Sequence, residues 1–462
     1  MDTNREHAGL DRRRFLKSTA GAGAAMAFGV RVLHGASEGG SVEPINVALI
    51  GAGAQGEVLM TACLKIPGVR FQAVCDIWEA YNQGRASRLL QRYGHPARPY
   101  VDCDEMLAKE TGLQAAIIAT PDFWHAPHTV ACLNAGLHVY CEKLMSNTVD
   151  GARQMVEASR RAGKLLQIGH QRRSNPRYLF CRDTLLRDKK LLGRITAVNG
   201  QWNRAVQTPL GWPKGKEIDA AILKRYGYGS MDDLRNWRWR RGLGGGPIVD
   251  LGAHQIDVFN WFLDARPQSV LASGRLNYYD KGSHQWYDTV MAVYEYDGAQ
   301  GPVTAFYQTL SANGHQQYFE KFLGDRGTLA MSERSDLTRL YPEPSDSPAT
   351  AWAQCVKEGH LTAQPEWLKL IERMNLEELA KALTVSGSVN TTGKAPTLEL
   401  AMELNKPIHQ PHLENFFDAI RGQAQLNCPA EVGYAGTVTV LKVNEAIDAG
   451  RRLEFRAEDF RA

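Results

Sequence analysis

The residues best suited to chemistry fall in three short runs. Asp250-Leu251-Gly252-Ala253-His254-Gln255-Ile256-Asp257 spaces a carboxylate, an imidazole and a second carboxylate by four and then three residues. On a helix all three share one face. An imidazole with its ordinary pKa takes a hydroxyl proton readily near neutrality, and Asp250 can bind a neighbouring hydroxyl or orient the ring. A plainer reading makes Asp250 a helix N-cap and His254 a structural histidine. Cys141-Glu142-Lys143-Leu144 follows the strand-like run His138-Val139-Tyr140. A lysine beyond a strand end can stabilise negative charge developing on a substrate oxygen, or simply pair with Glu142. The third run, Gln167 to Asn175, places Arg172 and Arg173 after another strand, where either binds substrate oxygen or pairs across a domain junction.

A fourth motif supplies a partner for such chemistry. Gly51-Ala52-Gly53-Ala54-Gln55-Gly56 lies directly behind the apolar run Ile45 to Ile50. The first glycine permits a tight turn, the second lets a pyrophosphate approach the backbone, and the third lets the next helix pack on the strand. That helix starts near Gln55 and presents its positive end to the phosphates. A second apolar strand, Phe71 to Cys75, ends in Asp76, about twenty residues past the motif, where a ribose-binding carboxylate belongs. Such a carboxylate repels a 2′-phosphate, so the expected cofactor is NAD rather than NADP. Arg85 and Arg88 are read as residues of a solvated helix. With NAD as hydride acceptor, Lys143 becomes a residue that steadies a hydroxyl oxygen while hydride leaves its carbon.

These groups need a sheet to position them. After Asp76, helical and strand patterns alternate through Ala115–Ala119, His138–Cys141 and Leu165–Ile168, which predicts a doubly wound parallel sheet. Thr120-Pro121-Asp122-Phe123-Trp124-His125 follows one strand end, and Trp124 and His125 are candidates for walling the nicotinamide pocket. From Gly169 the pattern changes to long strands, including Ile195–Trp202, Thr289–Tyr296 and Val303–Thr309. These predict a large, mostly antiparallel sheet backed by helices. The expected fold class is therefore α/β, with a Rossmann domain over residues 43–168 and an α+β domain over 169–462. Residues 342–396 read as an irregular insertion around one helix near Trp367 to Ala382. Trp237, Trp239, Trp286 and Tyr287 are candidates for stacking on a sugar ring, although aromatic residues are more often core.

Composition narrows the class. The chain has 462 residues, net charge +4, 44% hydrophobic and 23% charged residues, which is ordinary for a globular protein of two domains. Its body has no basic block with interleaved aromatics, which excludes nucleic acid as an expected partner. The 8 cysteines show no C-x-x-C pair and no metal-like spacing, so no metal site or disulfide framework is expected. At the start, Asp11-Arg12-Arg13-Arg14-Phe15-Leu16-Lys17 precedes a mild apolar run rich in Ala and Gly. That order matches a twin-arginine export signal over residues 1–42, with Asp11 where Ser or Thr is usual. The expected location is the periplasm or cell envelope, reached through the twin-arginine machinery. An exported enzyme meets no maintained pool of NAD, so it is expected to retain its cofactor tightly.

These residues in this order resemble the glucose–fructose oxidoreductase / inositol dehydrogenase / MocA family over most of the chain after Glu43. The resemblance implies dehydrogenation of a sugar or cyclitol, and an open C-terminal sheet that joins copies into a homodimer or homotetramer. It implies that Lys143, Asp250 and His254 are catalytic and, with Arg172, bind substrate. Gly51, Gly53, Ala54, Gln55, Gly56, Asp76, Thr120, Pro121, His125, Glu142 and Lys143 would then line the cofactor. Leu144 replaces the family's proline in Glu-Lys-Pro, which bears on how Lys143 is aimed. A redox-neutral glycosidase or lyase working through a transient keto-sugar is the alternative reading.

Overall fold

A computed structural model describes residues 43–343, 349–364, 368–369, 371–383, 397–402 and 404–462. The expected export signal, residues 1–42, lies outside them, as does Trp367 at the start of the expected late helix.

The first layer forms as the apolar runs predict. β1 (Ile45–Ile50), β2 (Val69–Cys75), β3 (Arg98–Tyr100), β4 (Ala115–Ile118), β5 (His138–Cys141) and β6 (Leu166–Ile168) make one sheet in the order β3-β2-β1-β4-β5-β6. Every pairing in it is parallel. Such strands are covered on both faces, which is why they read as unbroken apolar runs. The helices α1 (Ala54–Cys63), α2 (Gly84–Arg92), α3 (Cys103–Lys109), α4 (Asp122–Asn134) and α5 (Val149–Ala162) connect them. Local chemistry sets their ends. Asp102 accepts from the Glu105 amide at α3, Thr148 accepts from the Gly151 amide at α5, and Gly163 closes α5 with φ +62°. The strand order reverses between β1 and β4, and a ligand crevice opens at that point.

The second sheet has ten strands. β7 (Ile195–Asn203), β8 (Pro267–Arg275), β9 (Thr289–Gly298), β10 (Gly301–Leu310), β11 (Tyr318–Gly324), β12 (Gly327–Met331), β13 (Arg339–Pro342), β14 (Leu361–Ala363), β15 (Leu398–Leu400) and β16 (Leu453–Glu454) run in the order β14-β15-β13-β12-β11-β7-β10-β9-β8-β16. Only β7 and β10 pair in parallel; the other pairings are antiparallel. α6 (Ala253–Leu263) lies on its inner face, where Phe262 stacks on Phe322 at 4.8 Å. A Cβ at Gly200 would stand 2.6 Å from the Phe259 ring, so strand and helix meet at a glycine.

Two features depart from the expected organisation. The stretch from 342 to 396, expected as an irregular insertion, is built into the fold in its described part. α7 (Thr350–Lys357) and α8 (Leu376–Leu383) bury Trp352, Cys355 and Leu379 in the main core, and β14 extends the sheet through β15. Its short apolar stretches are too brief to register as elements in sequence, yet they have a sheet edge to add to. α9 (Gln410–Ile420) returns to the first sheet, placing Leu413, Phe416 and Phe417 in one core with Val47 and Tyr140. α10 (Ala430–Ala449) follows.

A third core joins residues 204–247 to the Rossmann layer. Trp78, Leu223, Tyr226, Tyr228, Met231 and Trp237 are buried together. The Trp78 indole donates to the Lys216 carbonyl, and the Trp124 indole donates to the Tyr226 carbonyl at 3.1 Å.

Candidate active site

The glycine loop has the shape a pyrophosphate needs. Gly51 sits at φ +85°, and a Cβ there would stand 2.7 Å from the Ala119 and Thr120 backbone. A Cβ on Gly56 would stand 2.0 Å from the Gly51 carbonyl oxygen, so α1 packs on the turn only through glycine. A Cβ on Gly53 meets only the Asn82 amide, at 3.7 Å, which leaves the space beside this backbone open. The Asp76 carboxylate accepts from the Ala52 and Trp78 amides, each at 2.7 Å, and so stands beside the loop. Burial raises its pKa against those bonds. Arg85 pairs with Glu57 and packs over Tyr81 at 5.2 Å. These residues fit a dinucleotide, with Asp76 available to a ribose.

The ends of β4 and β5 carry the next groups. Both ring nitrogens of His125 lie 2.7 Å from carbonyls, Nε2 from Thr120 and Nδ1 from Leu144. This ring ties Thr120-Pro121 to the turn that bears Lys143. The Lys143–Leu144 peptide is cis, with Leu144 buried. Glu142 accepts from the Gln55 amide at 3.1 Å, and Gln55 also meets His409 Nε2 at 3.1 Å. Glu142 thus links the lysine turn to the glycine loop. Asp122 is buried at the start of α4, where burial pushes its carboxyl up to about 7 against the pull of Lys143 and Arg238.

Lys143 reaches across to Asp250. Its ammonium donates to the Asp250 backbone carbonyl and lies 3.6 Å from Oδ1. Arg238 Nε donates to Oδ1 at 2.9 Å, and Arg204 Nη1 donates to Oδ2 at 3.2 Å. Burial raises the Asp250 pKa, but Arg238, Lys143 and Arg204 together outweigh it and hold the carboxyl well below its usual range. His254 follows on the first turn of α6, its ring centroid 5.5 Å from that of Trp202. Its Nδ1 is buried with no hydrogen-bond partner among the described residues, so Nε2 is the nitrogen open to a ligand. Burial, then Lys143 and Arg172, lowers its pKa well below 6.5, so it stands as a neutral imidazole.

Four expectations are corrected. Asp250 precedes the α-helix that carries the other two. It lies in the wider turn Ile248–Gly252, and α6 begins only at Ala253. Asp257 is not in the cleft: Arg173 donates to both its oxygens, from Nε at 2.8 Å and from Nη2 at 2.8 Å, within the buried core. Arg172 is not placed to bind substrate. It is 1% exposed, pairs with Glu320 and Glu333, and is packed against Tyr178, Trp202 and Tyr318. The unperturbed pKa expected of His254 is likewise replaced by a depressed one, because the ring is buried among cations.

Arg204, Arg238 and His409 escaped the sequence reading. Arg204 stands just past the end of β7 and obeys the same strand-end logic that singled out Lys143. Arg238 stands 12 residues before Asp250, between Trp237 and Trp239, and His409 is brought to Gln55 across 354 residues. Of the aromatic candidates, Trp237 is in the third core, Trp239 meets His284 at 4.0 Å, and Trp286 carries Arg241 over its ring at 4.2 Å. All 8 cysteines are buried free thiols. Among the described residues no group of three or more His, Cys, Asp or Glu side chains is arranged to hold a metal ion.

Residues 45–170 match the family model described as an oxidoreductase family with an NAD-binding Rossmann fold, and residues 186–330 match the GFO/IDH/MocA C-terminal domain. The chain belongs to the GFO/IDH/MocA family. Inositol 2-dehydrogenase of Rubrobacter xylanophilus is 24% identical over 295 residues, 63% of this chain and 72% of that protein. A glycosyl hydrolase family 109 protein of Saccharopolyspora erythraea is 29% identical over 237 residues, 44% of this chain and 51% of the relative. The chain thus spans only about half the length of this second relative. Levoglucosan dehydrogenase, solved with NADH and L-sorbose, shares the GFO/IDH/MocA fold with a TM-score of 0.64 at 14% identity, over 90% of this chain and 100% of that one. The Rossmann match spans the first sheet and the C-terminal match runs from β7 into β12 of the second, and the NAD-binding character of the first agrees with the glycine loop and Asp76.

Proposed function

We propose that this protein oxidises a ring hydroxyl of a sugar or cyclitol by hydride transfer to a tightly held NAD, after export by the twin-arginine route. The observation that carries the reading is the convergence of Lys143, Asp250 and His254 beside the crevice that the glycine loop opens. NAD bound along Gly51–Gly56 and Asp76 supplies the hydride acceptor. The Lys143 ammonium binds the reacting hydroxyl and holds negative charge on its oxygen. His254, neutral at rest, takes the hydroxyl proton, and Asp250 fixes Lys143 through its carboxylate and carbonyl. The relatives named as inositol and levoglucosan dehydrogenases support the substrate class. Trp78, two residues past Asp76, is buried with Leu223, Tyr226, Met231 and Trp237, and this fixed backbone beside the ribose carboxylate supports tight cofactor binding.

The open face of the second sheet exposes Leu271 and Met291, and a second copy of the chain is the occupant proposed for it. Residues Arg12 and Arg13 support the export reading. A fusion of residues 1–42 to a reporter should reach the periplasm, and Lys at both arginines should block it. A reporter indifferent to these changes would remove the export step.

A second reading is favoured by one relative and one residue. The glycosyl hydrolase family 109 similarity and the buried Asp122, poised near neutrality beside Lys143, suit a redox-neutral cleavage. There, oxidation is transient, a neighbouring C–H loses its proton, the glycosidic substituent leaves, water adds, and the hydride returns. Turnover of a glycoside followed by absorbance and by product analysis separates the two. One NADH formed per bound NAD, with a keto-sugar as product, marks the dehydrogenase, and repeated aglycone release with no net NADH marks the cleavage.

A further inference from the structure

The cations around Asp250 exceed what that carboxylate needs. Lys143, Arg204 and Arg238 all bond to it, and three positive groups on one negative group leave a surplus. Asp122 and Glu142 are the other acids nearby. Glu142 is buried and accepts from Gln55, and Asp122 is buried with its carboxyl near half-ionised at neutral pH. Neither lies at the open side of the cluster, where the two arginines do. Arg204 and Arg238 keep 38% and 42% of their side chains exposed, against 18% for Asp250. Each gives Asp250 one N–H only, Arg204 through Nη1 and Arg238 through Nε. The two terminal nitrogens of Arg238 make no hydrogen bond among the described residues, and its plane packs on Trp237 at 4.3 Å. Arg204 is steadied in the same way over Trp202, at 5.4 Å. Aromatic support orders both guanidinium groups without occupying their donors.

A guanidinium fixed on one edge and open on the other is built to take a planar oxyanion with its free edge. Resting on the proposed carbohydrate reaction, we infer that the substrate is an anionic sugar, with a carboxylate on the carbon skeleton or on its substituent, gripped by Arg204 and Arg238 while the reacting hydroxyl meets Lys143. Asp250 then has two duties. It anchors Lys143 at the reacting carbon, and it fixes the inner edges of both arginines so that their outer edges face the same ligand. A neutral sugar leaves those outer edges to water and gains nothing from them.

The test compares a uronoside with the glycoside that differs only by a hydroxymethyl group in place of the carboxylate, and with the uronoside methyl ester. The full chain with its bound cofactor, supplied with an artificial electron acceptor that reoxidises the bound NADH, is assayed for both sugar oxidation and aglycone release. A charge-assisted contact predicts a kcat/KM about 10 to 100 times higher for the free acid than for the other two. Arg238→Gln should shrink that ratio by about tenfold. The ratio cancels any general damage done through Asp250, because such damage slows acid and neutral sugar alike. Equal or better turnover of the neutral glycoside overturns the inference and leaves the carbohydrate reading standing. Failure of all three sugars, in a protein shown to hold NAD, overturns the carbohydrate reading and the inference with it.

Discussion

Two arginine clusters pack against Trp202, and they differ in everything except residue type. Arg172 lies 5.8 Å from that ring and Arg204 lies 5.4 Å from it. Around Arg172 one cation meets two carboxylates, Glu320 and Glu333, with side chains 1%, 0% and 5% exposed. Around Asp250 three cations meet one carboxylate, and the arginines remain open to solvent. The first cluster is closed, and burial pushes Glu320 up to about 7 despite its arginine. The second has donors left over. Residue identity does not distinguish a site from a strut; unoccupied donors at an open face do.

The sharpest way to break this contrast is to truncate one cation in each cluster. Lys143→Ala should lower kcat/KM by about 10³-fold while leaving the thermal midpoint little changed, since an ammonium at the reacting oxygen is lost. Steady-state kinetics and calorimetry on one preparation check both parts. A variant with near-normal turnover would take Lys143 out of the chemistry. Arg172→Ala should behave in the opposite way, losing about 3–5 kcal/mol of stability because Glu320 and Glu333 are left buried without their cation. Denaturant unfolding measures it. Wild-type stability with a raised KM would return Arg172 to the substrate site.

The cofactor side of the molecule was far more legible than the substrate side. Gly51, Gly53 and Gly56 are set by local backbone demands within six residues, and β1 to β6 announce themselves as apolar runs. Lys143 follows from its strand end by the same local logic. Arg204 and Arg238 are joined to Asp250 across 46 and 12 residues, and Arg172 to Glu320 across 148. No local pattern encodes those pairings, so Arg172 and Asp257 read as site residues until their partners were in place. The helical spacing of Asp250, His254 and Asp257 misled for a related reason. The turn Ile248–Gly252 changes the rotation between the first residue and the other two.

The glycine loop offers an intermediate effect that tests how local this logic is. Gly53→Ala should fold normally, with only the Asn82 amide at 3.7 Å from the new methyl. It should weaken NAD binding by about tenfold or more, because the methyl occupies the path of the pyrophosphate. Gly56→Ala should instead destabilise the fold itself, with a Cβ 2.0 Å from the Gly51 carbonyl oxygen. Titration calorimetry and thermal unfolding of the two variants give the order. Equal NAD affinity in Gly53→Ala and wild type would move the phosphates away from this loop.

The smallest expected effect joins the two clusters through His254. Burial lowers its pKa first, and then Lys143 of the open cluster and Arg172 of the closed one add to it. A lowered pKa means that the imidazole stays neutral below pH 6.5 and remains able to accept a proton there. The acid limb of kcat/KM that belongs to His254 should therefore lie below 6.5, and turnover should be flat from there to neutrality. Stability follows a related sign. His170, held at about 4, and His128 and His412, held at about 3, refuse protons that the unfolded chain accepts below 6.5. Asp122 and Glu320, raised to about 7, act oppositely, because the folded state keeps protons that the unfolded chain has released. Asp76 and Asp418 are raised as well, but with His125 and His254 also lowered these five histidines outnumber the four carboxylates, and the unfolding midpoint should drift down as pH falls from 6.5 toward 5. An acid limb at or above 6.5 would mean that neither burial nor the charge of either cluster lowers the imidazole, and would take His254 out of the role of base.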